Sequence, residues 1–161
     1  MQQSTMPRLV IAAPQGRSGK TTLTLGICSA LRARGMHIQP FKKGPDYIDP
    51  SWLSEAAGCP CRSLDPFFAG SPQALQKSFA QGAVGADLCL IEGNHGLYDG
   101  GEDGKGSTGE QEWSASSAEV ARQLTCPVIL VINTARMARS IAAMLLGYQQ
   151  FEPETHIAAV I

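Results

Sequence analysis

The sequence lacks a long hydrophobic run, and it begins without a hydrophobic leader. No stretch approaches the roughly 18 consecutive apolar residues that a membrane-spanning helix needs. The polar start, residues 1–7, has no segment of the kind that directs secretion. These absences predict a cytoplasmic protein with no membrane partner.

An excess of one charge is also missing. Thirteen lysine and arginine residues stand against 14 aspartate and glutamate residues, which gives a formal net charge of −1. Such a balance creates no general field for nucleic acid, so nucleic acid is not an expected partner and anion binding must come from local groups. The 161 residues are long enough for one α/β domain with a sizeable core.

The cysteines form no regular pattern. Five cysteines in a chain expected inside the cell do not indicate a disulfide framework. Cys28, Cys89 and Cys126 lie in or beside apolar patterns and are predicted to be core thiols. Cys59 and Cys61 would supply only two of the four ligands of a structural zinc site, so a metal role is not favoured there.

What the sequence does contain is a strong phosphate-binding pattern in residues 8–22, RLVIAAPQGRSGKTT. An apolar run is followed by a glycine-containing loop and then by a helical pattern, which predicts strand, loop and helix. Backbone N–H groups at a helix N-terminus are free to bind phosphate, and the helix dipole favours negative charge there. The first glycine of GxxxxGK[ST] is replaced by Pro14, with Gly16 as a substitute. The alternative is a Gly/Ser turn with a solvated lysine.

This interpretation gives the loop residues specific tasks. Lys20 would contact the β- and γ-phosphates of a nucleotide, and the Thr21 hydroxyl would bind Mg²⁺. The predicted nucleotide-binding residues are Gln15, Gly16, Arg17, Ser18, Gly19, Lys20, Thr21 and Thr22.

The remaining chain alternates between strand and helix patterns. After the first strand, strands are predicted at residues 37–41, 87–92, 127–133 and 156–161, and helices at 19–34, 51–57, 71–81, 114–124 and 137–150. The continuous apolar runs are typical of a parallel sheet with helices on both faces. The prediction is an α/β fold of the P-loop NTPase type. Because the chain stops inside an apolar strand, we expect residues 1–161 to be one truncated domain of a longer protein.

The segment after the second strand, residues 41–50, is rich in charged residues, Gly and Pro. In open parallel sheets, ligands bind beyond the carboxyl ends of the strands, so this loop would stand beside the phosphate loop if the two strands are neighbours. Lys42 or Lys43 could meet an anionic substrate, and Asp46 and Asp49 could meet Mg²⁺ or its waters. The alternatives are solvated lysines, an Asx turn at Asp46 and a helix cap at Asp49.

The third strand ends in an acid, Glu92, which resembles the metal-contacting element of phosphate-loop enzymes. The alternative is a solvated terminal carboxylate. Asp99 lies in the glycine-rich loop that follows, and residues 102–112 extend it into a long loop of a kind that is usually functional or disordered. His95 is predicted to be a backbone-bonding loop residue, because nothing pairs it with a nucleophile.

Together these segments resemble the N-terminal synthetase domain of the cobyrinic acid a,c-diamide synthase family, which is close in fold to dethiobiotin synthetase. The resemblance covers essentially the whole chain, and Pro14 agrees with it. It is carried by the phosphate loop, by GPDYID at residues 44–49, by Leu64-Asp65 and by EGNHGLYDG at residues 92–100. Two departures bear on substrate fit: Trp52 stands where relatives often have histidine, and Asn94-His95 replaces a more apolar pair.

The resemblance implies an ATP- and Mg²⁺-dependent, glutamine-hydrolysing ligase of cobalamin biosynthesis. It would phosphorylate the a and c acetate carboxylates of cobyrinic or hydrogenobyrinic acid, and ammonia would displace the phosphate. The ammonia would come from a C-terminal glutamine amidotransferase domain, which is absent from this chain. The oligomeric state stays open, with a homodimer as one expectation.

The resemblance also implies roles for single residues. Lys20 would stabilise the transferring phosphoryl group, and Lys42 would meet the acceptor carboxylate. The predicted Mg²⁺-binding residues are Thr21, Asp46 and Glu92, and Asp49 and Asp99 would order the site loops.

Three other functions stay open. A partitioning or septum-positioning ATPase shares the fold, but its additional lysine would fall on Gln15. A dethiobiotin-synthetase-like carboxylate ligase would share the chemistry. A regulatory nucleotide-binding module would leave the acidic loops and the lysine pair unexplained.

Overall fold

The computed structural model describes residues 6–100 and 115–161. The strands in these residues are β1 (Arg8–Ala12), β2 (Ile38–Lys42), β3 (Arg62–Ser63), β4 (Leu88–Glu92), β5 (Val128–Leu130) and β6 (Ile157–Val160). The helices are α1 (Lys20–Arg32), α2 (Asp49–Ala57), α3 (Pro66–Ala69), α4 (Pro72–Gly82), α5 (Ser117–Gln123) and α6 (Ser140–Phe151). The described strands form one parallel sheet in the order β3-β2-β4-β1-β5-β6.

Alternate residues of the central strands pack on opposite faces of this sheet. In β1, Val10 and Ala12 belong to the larger core, which contains residues of α4 and α5. Ile11 belongs to a smaller core on the other face, against Leu23 and Ile27 of α1. Each of the three β1 residues is at most 1% exposed. The predicted parallel sheet with helices on both faces is therefore confirmed.

The principal predicted elements are present, with shifted ends. The helix predicted at residues 114–124 is α5, which begins at Ser117 and is capped by Ser116, whose hydroxyl accepts a hydrogen bond from the Glu119 N–H. The strand predicted at 127–133 shortens to β5. The two-residue strand β3 and the four-residue helix α3 were not predicted, because segments this short show no periodicity. The predicted long loop at 102–112 lies outside the described residues.

The condition attached to the predicted position of the 41–50 loop, that the first two strands are neighbours, is not met. The second strand does not neighbour the first, because β4 lies between β1 and β2. In the β2–β4 register, Lys42 pairs with Glu92. The predicted site loops still meet, and they do so around the end of β4.

Two further features concern the whole described region. No helix within residues 6–100 and 115–161 combines the length and the apolar character that crossing a membrane requires. The predicted core thiols are confirmed, since Cys28 and Cys89 are fully buried and Cys126 is 4% exposed.

Candidate active site

Glu92 is the centre of the candidate site. It is the last residue of β4 and is 0% exposed, so the alternative of a solvated carboxylate is wrong. Its Oε1 atom accepts hydrogen bonds from Thr21 Oγ1 at 2.7 Å and from Lys42 Nζ at 2.7 Å. Its Oε2 atom is the one buried side-chain polar atom of the described residues that has no hydrogen-bond partner. One carboxylate oxygen is therefore left for a ligand.

Lys42 links Glu92 to the next loop. Its ammonium group also donates to Asp49 Oδ2 at 2.7 Å, and only 3% of the side chain is exposed. Burial acts to lower the pKa of Lys42, but the carboxylates of Glu92 and Asp49 outweigh it, so the pKa is raised. We call Thr21, Lys42, Asp49 and Glu92 the Glu92 cluster. Within it, Lys42 remains an ammonium ion.

Asp49 and Asp46 hold the start of α2. Asp49 is the first residue of the helix, and its Oδ2 also lies 3.4 Å from Thr21 Oγ1. Partial burial acts to raise the pKa of Asp49, but the hydrogen bond and charge of Lys42 prevail and lower it. Asp46 Oδ1 accepts from the N–H groups of Ile48 and Asp49 at 2.9 and 3.1 Å, so the predicted Asx turn is present. Asp46 Oδ2 lies 3.8 Å from Lys42 Nζ, so this oxygen is adjacent to the Glu92 cluster.

The phosphate loop opens directly onto α1. Gly19 has a φ of 93°, a conformation that glycine adopts without strain, and the helix begins at Lys20 without a side-chain cap. The first N–H groups of a helix have no partners within it, which suits them to phosphate oxygens. A pocket of about 300 Å³ lies here, lined by Arg17, Ser18, Gly19, Lys20, Thr21 and Thr22. Gln15 and Gly16 are outside this lining.

Lys20 lies across the phosphate loop. Its ammonium group donates to the Gln15 carbonyl at 3.1 Å and to the His95 carbonyl at 2.8 Å. Burial, with a contribution from Lys42, lowers the pKa of Lys20. Among the described residues it forms no ion pair, so its charge is held by neutral carbonyl groups. The contact also confirms His95 as a loop residue that acts through its backbone.

Asp99 orders the loop after β4. Its Oδ2 accepts from the Gly96 N–H at 2.8 Å, and the Leu97 N–H donates to the Ala13 carbonyl at 2.8 Å. A Cβ atom on Gly96 would lie 2.6 Å from the Pro14 carbonyl oxygen, which only glycine avoids. The loop is therefore packed directly against the phosphate loop.

From the sequence, Lys43 was only an alternative to Lys42 for contact with an anionic substrate, and Asp65 had no role of its own. Lys43 is 7% exposed, and it has no hydrogen bond or ion pair from its ammonium group to the described residues. Asp65 is 8% exposed and follows β3, where its Oδ1 caps α3 through the Phe67 N–H at 2.8 Å. The Leu64-Asp65 dipeptide is one of the segments that carry the family resemblance, but no sequence pattern indicates that the Asp65 carboxylate lies near Lys43.

The residues present fit a bound Mg²⁺ ion. The buried unpartnered oxygen of Glu92 and the adjacent Thr21 hydroxyl are the hard oxygen ligands that this ion takes. The described residues contain no cluster of three or more His, Cys, Asp or Glu side chains suited to a metal. Mg²⁺ usually takes one or two protein carboxylates together with waters and substrate phosphates.

The chain is similar to known proteins over nearly its full length. The family model described as "CobQ/CobB/MinD/ParA nucleotide binding domain" (CbiA) matches residues 9–161. The cobyrinate a,c-diamide synthase of Syntrophotalea carbinolica is 45% identical in sequence over 96% of this chain. That of Magnetococcus marinus is 47% identical over 97% of this chain. The hydrogenobyrinate a,c-diamide synthase of Streptomyces coelicolor is 45% identical to 98% of it. The chain covers only 32%, 32% and 31% of these three relatives.

A solved structure supports the fold. The signal recognition particle receptor FtsY of Elizabethkingia anophelis, in complex with GDP, superposes with a TM-score of 0.55. The match covers 99% of this chain and 49% of FtsY, at 15% sequence identity. At that identity the likeness concerns the fold alone, which is that of the P-loop NTPases. Because the family model matches almost all of the described elements, the chain belongs to the CbiA family of nucleotide-binding domains.

Proposed function

We propose that this chain is the ATP-dependent synthetase part of a cobyrinate or hydrogenobyrinate a,c-diamide synthase. The observation that carries the proposal is the Glu92 cluster, in which a phosphate-loop hydroxyl, a buried carboxylate with one free oxygen and the 44–49 loop meet at one point. The relatives with 45–47% identity carry these names. The chain spans about a third of their length, so glutamine hydrolysis would belong to a further domain.

The proposed reaction has two steps. An acceptor carboxylate attacks the terminal phosphorus of ATP, the bond to ADP breaks and an acyl phosphate forms. Ammonia then attacks the acyl carbon, phosphate leaves, and an amide remains after loss of a proton. Mg²⁺, when bound, would neutralise negative charge on the phosphates. Such a reaction needs positioning and charge stabilisation more than covalent help from the protein.

The site residues suit these tasks. Lys20, whose ammonium group is hydrogen-bonded only to carbonyl groups among the described residues, can turn to the transferring phosphoryl group. Thr21, Asp46 and Glu92 would hold Mg²⁺. Asp49 would fix the acidic loop through Lys42, and Asp99 would fix the loop after β4.

The function is tested by acceptor-dependent ATP hydrolysis in the full-length protein with free ammonia supplied. Cobyrinate, hydrogenobyrinate and diaminopelargonic acid, the dethiobiotin synthetase substrate, are compared as acceptors. We expect ADP release and conversion of two carboxyl groups to amides, followed by mass spectrometry, with a corrinoid acid only. Turnover with diaminopelargonic acid would instead indicate the dethiobiotin-type ligase. ATP turnover that ignores every acceptor would favour a nucleotide switch of the partitioning type.

A further inference from the structure

Two adjacent lysines follow β2, and the structure gives them different surroundings. Lys42 is bonded at 2.7 Å to both Asp49 and Glu92, so its charge is matched within the protein. Lys43 is comparably buried, at 7% exposed, yet its ammonium group has no partner within hydrogen-bond or ion-pair distance among residues 6–100 and 115–161. Among the described residues, only Glu92 Oε2 is a fully buried side-chain polar atom without a partner, so the Lys43 ammonium nitrogen keeps access to solvent. A largely desolvated cation in such a place gains from a ligand that supplies the opposite charge.

The backbone holds Lys43 firmly at the site. Its N–H donates to the Glu92 carbonyl at 2.9 Å, and the Leu64 N–H donates to the Lys42 carbonyl at 2.9 Å. These bonds place the Lys43 backbone between the ends of β3 and β4. Burial is the main cause that lowers the pKa of Lys43, against the attraction of Asp65 and Asp99. These carboxylates compensate its charge only in part.

The position of Lys43 separates it from the phosphate loop. That loop follows β1, whereas Lys43 follows β2, and β4 lies between them. With neighbouring strands about 4.8 Å apart, the two strand ends are roughly 10 Å apart. Lys20 already serves the phosphate loop. Along the edge of the sheet, the Lys43 backbone therefore lies beyond Glu92 from the phosphate loop, while Asp99, in the loop packed against the phosphate loop, attracts its charge. An anion between Lys43 and Glu92 would lie beside the nucleotide pocket, where a phosphoryl acceptor would enter.

We infer that Lys43, and not Lys42, binds the acceptor carboxylate of the substrate and holds it for attack on the nucleotide. The inference rests on the proposed function and makes it more specific. It replaces the expectation, drawn from the resemblance, that Lys42 meets this carboxylate. Lys42 instead keeps the two carboxylates of its own cluster in place.

The test is the variant Lys43→Met in the full-length protein, with cobyrinate varied at saturating MgATP and MgATP varied at saturating cobyrinate. Loss of one charge-assisted hydrogen bond should raise the KM for cobyrinate about 10- to 100-fold and leave the KM for MgATP unchanged. Lys43→Arg, which keeps the charge, should restore part of the affinity. Lys77→Met, at an exposed lysine of α4, is the matched control and should behave as wild type.

A second measurement does not depend on turnover. Binding of cobyrinate without ATP can be followed by equilibrium dialysis, and Lys43→Met should weaken that binding by the same factor. The thermal unfolding temperature of the variant should not fall below that of wild type, because the Lys43 ammonium group has no hydrogen bond or ion pair among the described residues to lose.

The other outcomes overturn the inference. Equal loss of affinity for both substrates, or loss for MgATP alone, would place Lys43 on the nucleotide. Unchanged binding of both would make it a structural lysine. If wild type does not amidate a corrinoid acid at all, the proposed function fails and the inference fails with it. If wild type does so and Lys43→Met is unaffected, only the inference fails.

Discussion

Two clusters of the described residues each join carboxylates to one basic side chain. They differ in burial and in whether a buried carboxylate oxygen lacks a hydrogen-bond partner. In the Glu92 cluster, the base is 3% exposed, the central carboxylate is fully buried, and one of its oxygens has no partner. In the second, which we call the Arg122 cluster, Arg122 binds Glu119 and Glu152, and its side chain is 25% exposed. The first cluster is buried and contains an oxygen without a partner, whereas the charged groups of the second are partly exposed to solvent.

The Arg122 cluster has the features of a structural contact. Gln123 Nε2 donates to Glu119 Oε1 at 2.7 Å, and Thr155 Oγ1 donates to Glu152 Oε2 at 3.1 Å. Arg122 completes the set and ties α5 to the end of α6. Both oxygens of Glu119 and one oxygen of Glu152 have protein partners, and the Glu152 side chain is 28% exposed, so water can solvate its other oxygen. The cluster therefore does not require a ligand.

The comparison shows why burial and partner count must be considered together. Buried ion pairs lose much of their Coulombic gain to desolvation, so stability alone does not explain keeping Lys42 and Glu92 out of water. The unpartnered Oε2 atom of Glu92 is better explained by a bound ligand that interacts with this oxygen. The predictions below test this difference.

The largest effect is expected from Lys42→Met. Removal of the base leaves the Glu92 carboxylate buried without its counter-charge, and such losses cost about 3–5 kcal/mol in the free energy of unfolding. Urea unfolding measures the change. The double variant Lys42→Met/Glu92→Gln should recover much of the loss, because the buried charge is gone. A double variant as unstable as Lys42→Met would show that lost packing, and not charge, is responsible.

A smaller effect, on catalysis, is expected from Glu92→Gln. The amide keeps the shape and an acceptor oxygen for Thr21 and Lys42 but cannot neutralise a cation. Loss of one preorganised electrostatic partner should lower kcat on the order of 10²-fold. Steady-state ADP release measures it, and Glu119→Gln in the Arg122 cluster is the control that should retain activity. Near-normal turnover in Glu92→Gln would remove Glu92 from the metal site.

Asp46→Asn should cost less. Asparagine keeps the Oδ1 acceptor of the Asx turn before α2 and removes only the charge of a carboxylate that is 24% exposed. We expect a loss of about 1.4 kcal/mol in transition-state stabilisation, or tenfold in kcat/KM. The comparison variant Asp46→Ala removes the Asx turn as well and should also lower the unfolding temperature. If the two variants lose equal activity and equal stability, the Asx turn alone explains the role of Asp46.

Much of the candidate site could be predicted from the sequence, because its residues stand at places fixed by general rules. Thr21 follows the lysine of the phosphate loop, and Glu92 ends a continuous apolar strand, so both were expected at the carboxyl edge of a parallel sheet. Asp46 and Asp49 follow the next strand over. The structure brings Thr21, Asp49 and Glu92 together with Lys42.

Other features depend on tertiary contacts that no local pattern records. Lys42 and Lys43 are the same residue type in the same loop, and only the register of β2 against β4 places Lys42 on Glu92. The placement of β4 between β1 and β2 also cannot be inferred from chain order. Asp65 approaches Lys43 because β3 adds a strand of two residues, which is too short for a periodic signal.

The smallest effect is expected from Arg122→Met. Partly exposed ion pairs contribute up to about 1 kcal/mol, and the methionine stem retains part of the packing. Urea unfolding at low and high salt sharpens the comparison with Lys42→Met. Since the Debye length falls from about 8 Å at physiological ionic strength to 3 Å at 1 M, the deficit of Arg122→Met should shrink in 1 M salt. The deficit of Lys42→Met should persist, because salt does not reach a buried carboxylate. If the losses in the free energy of unfolding of both variants shrink equally, solvent reaches Glu92 as freely as it reaches Arg122. The Glu92 Oε2 atom would then be hydrated and would not indicate a ligand site.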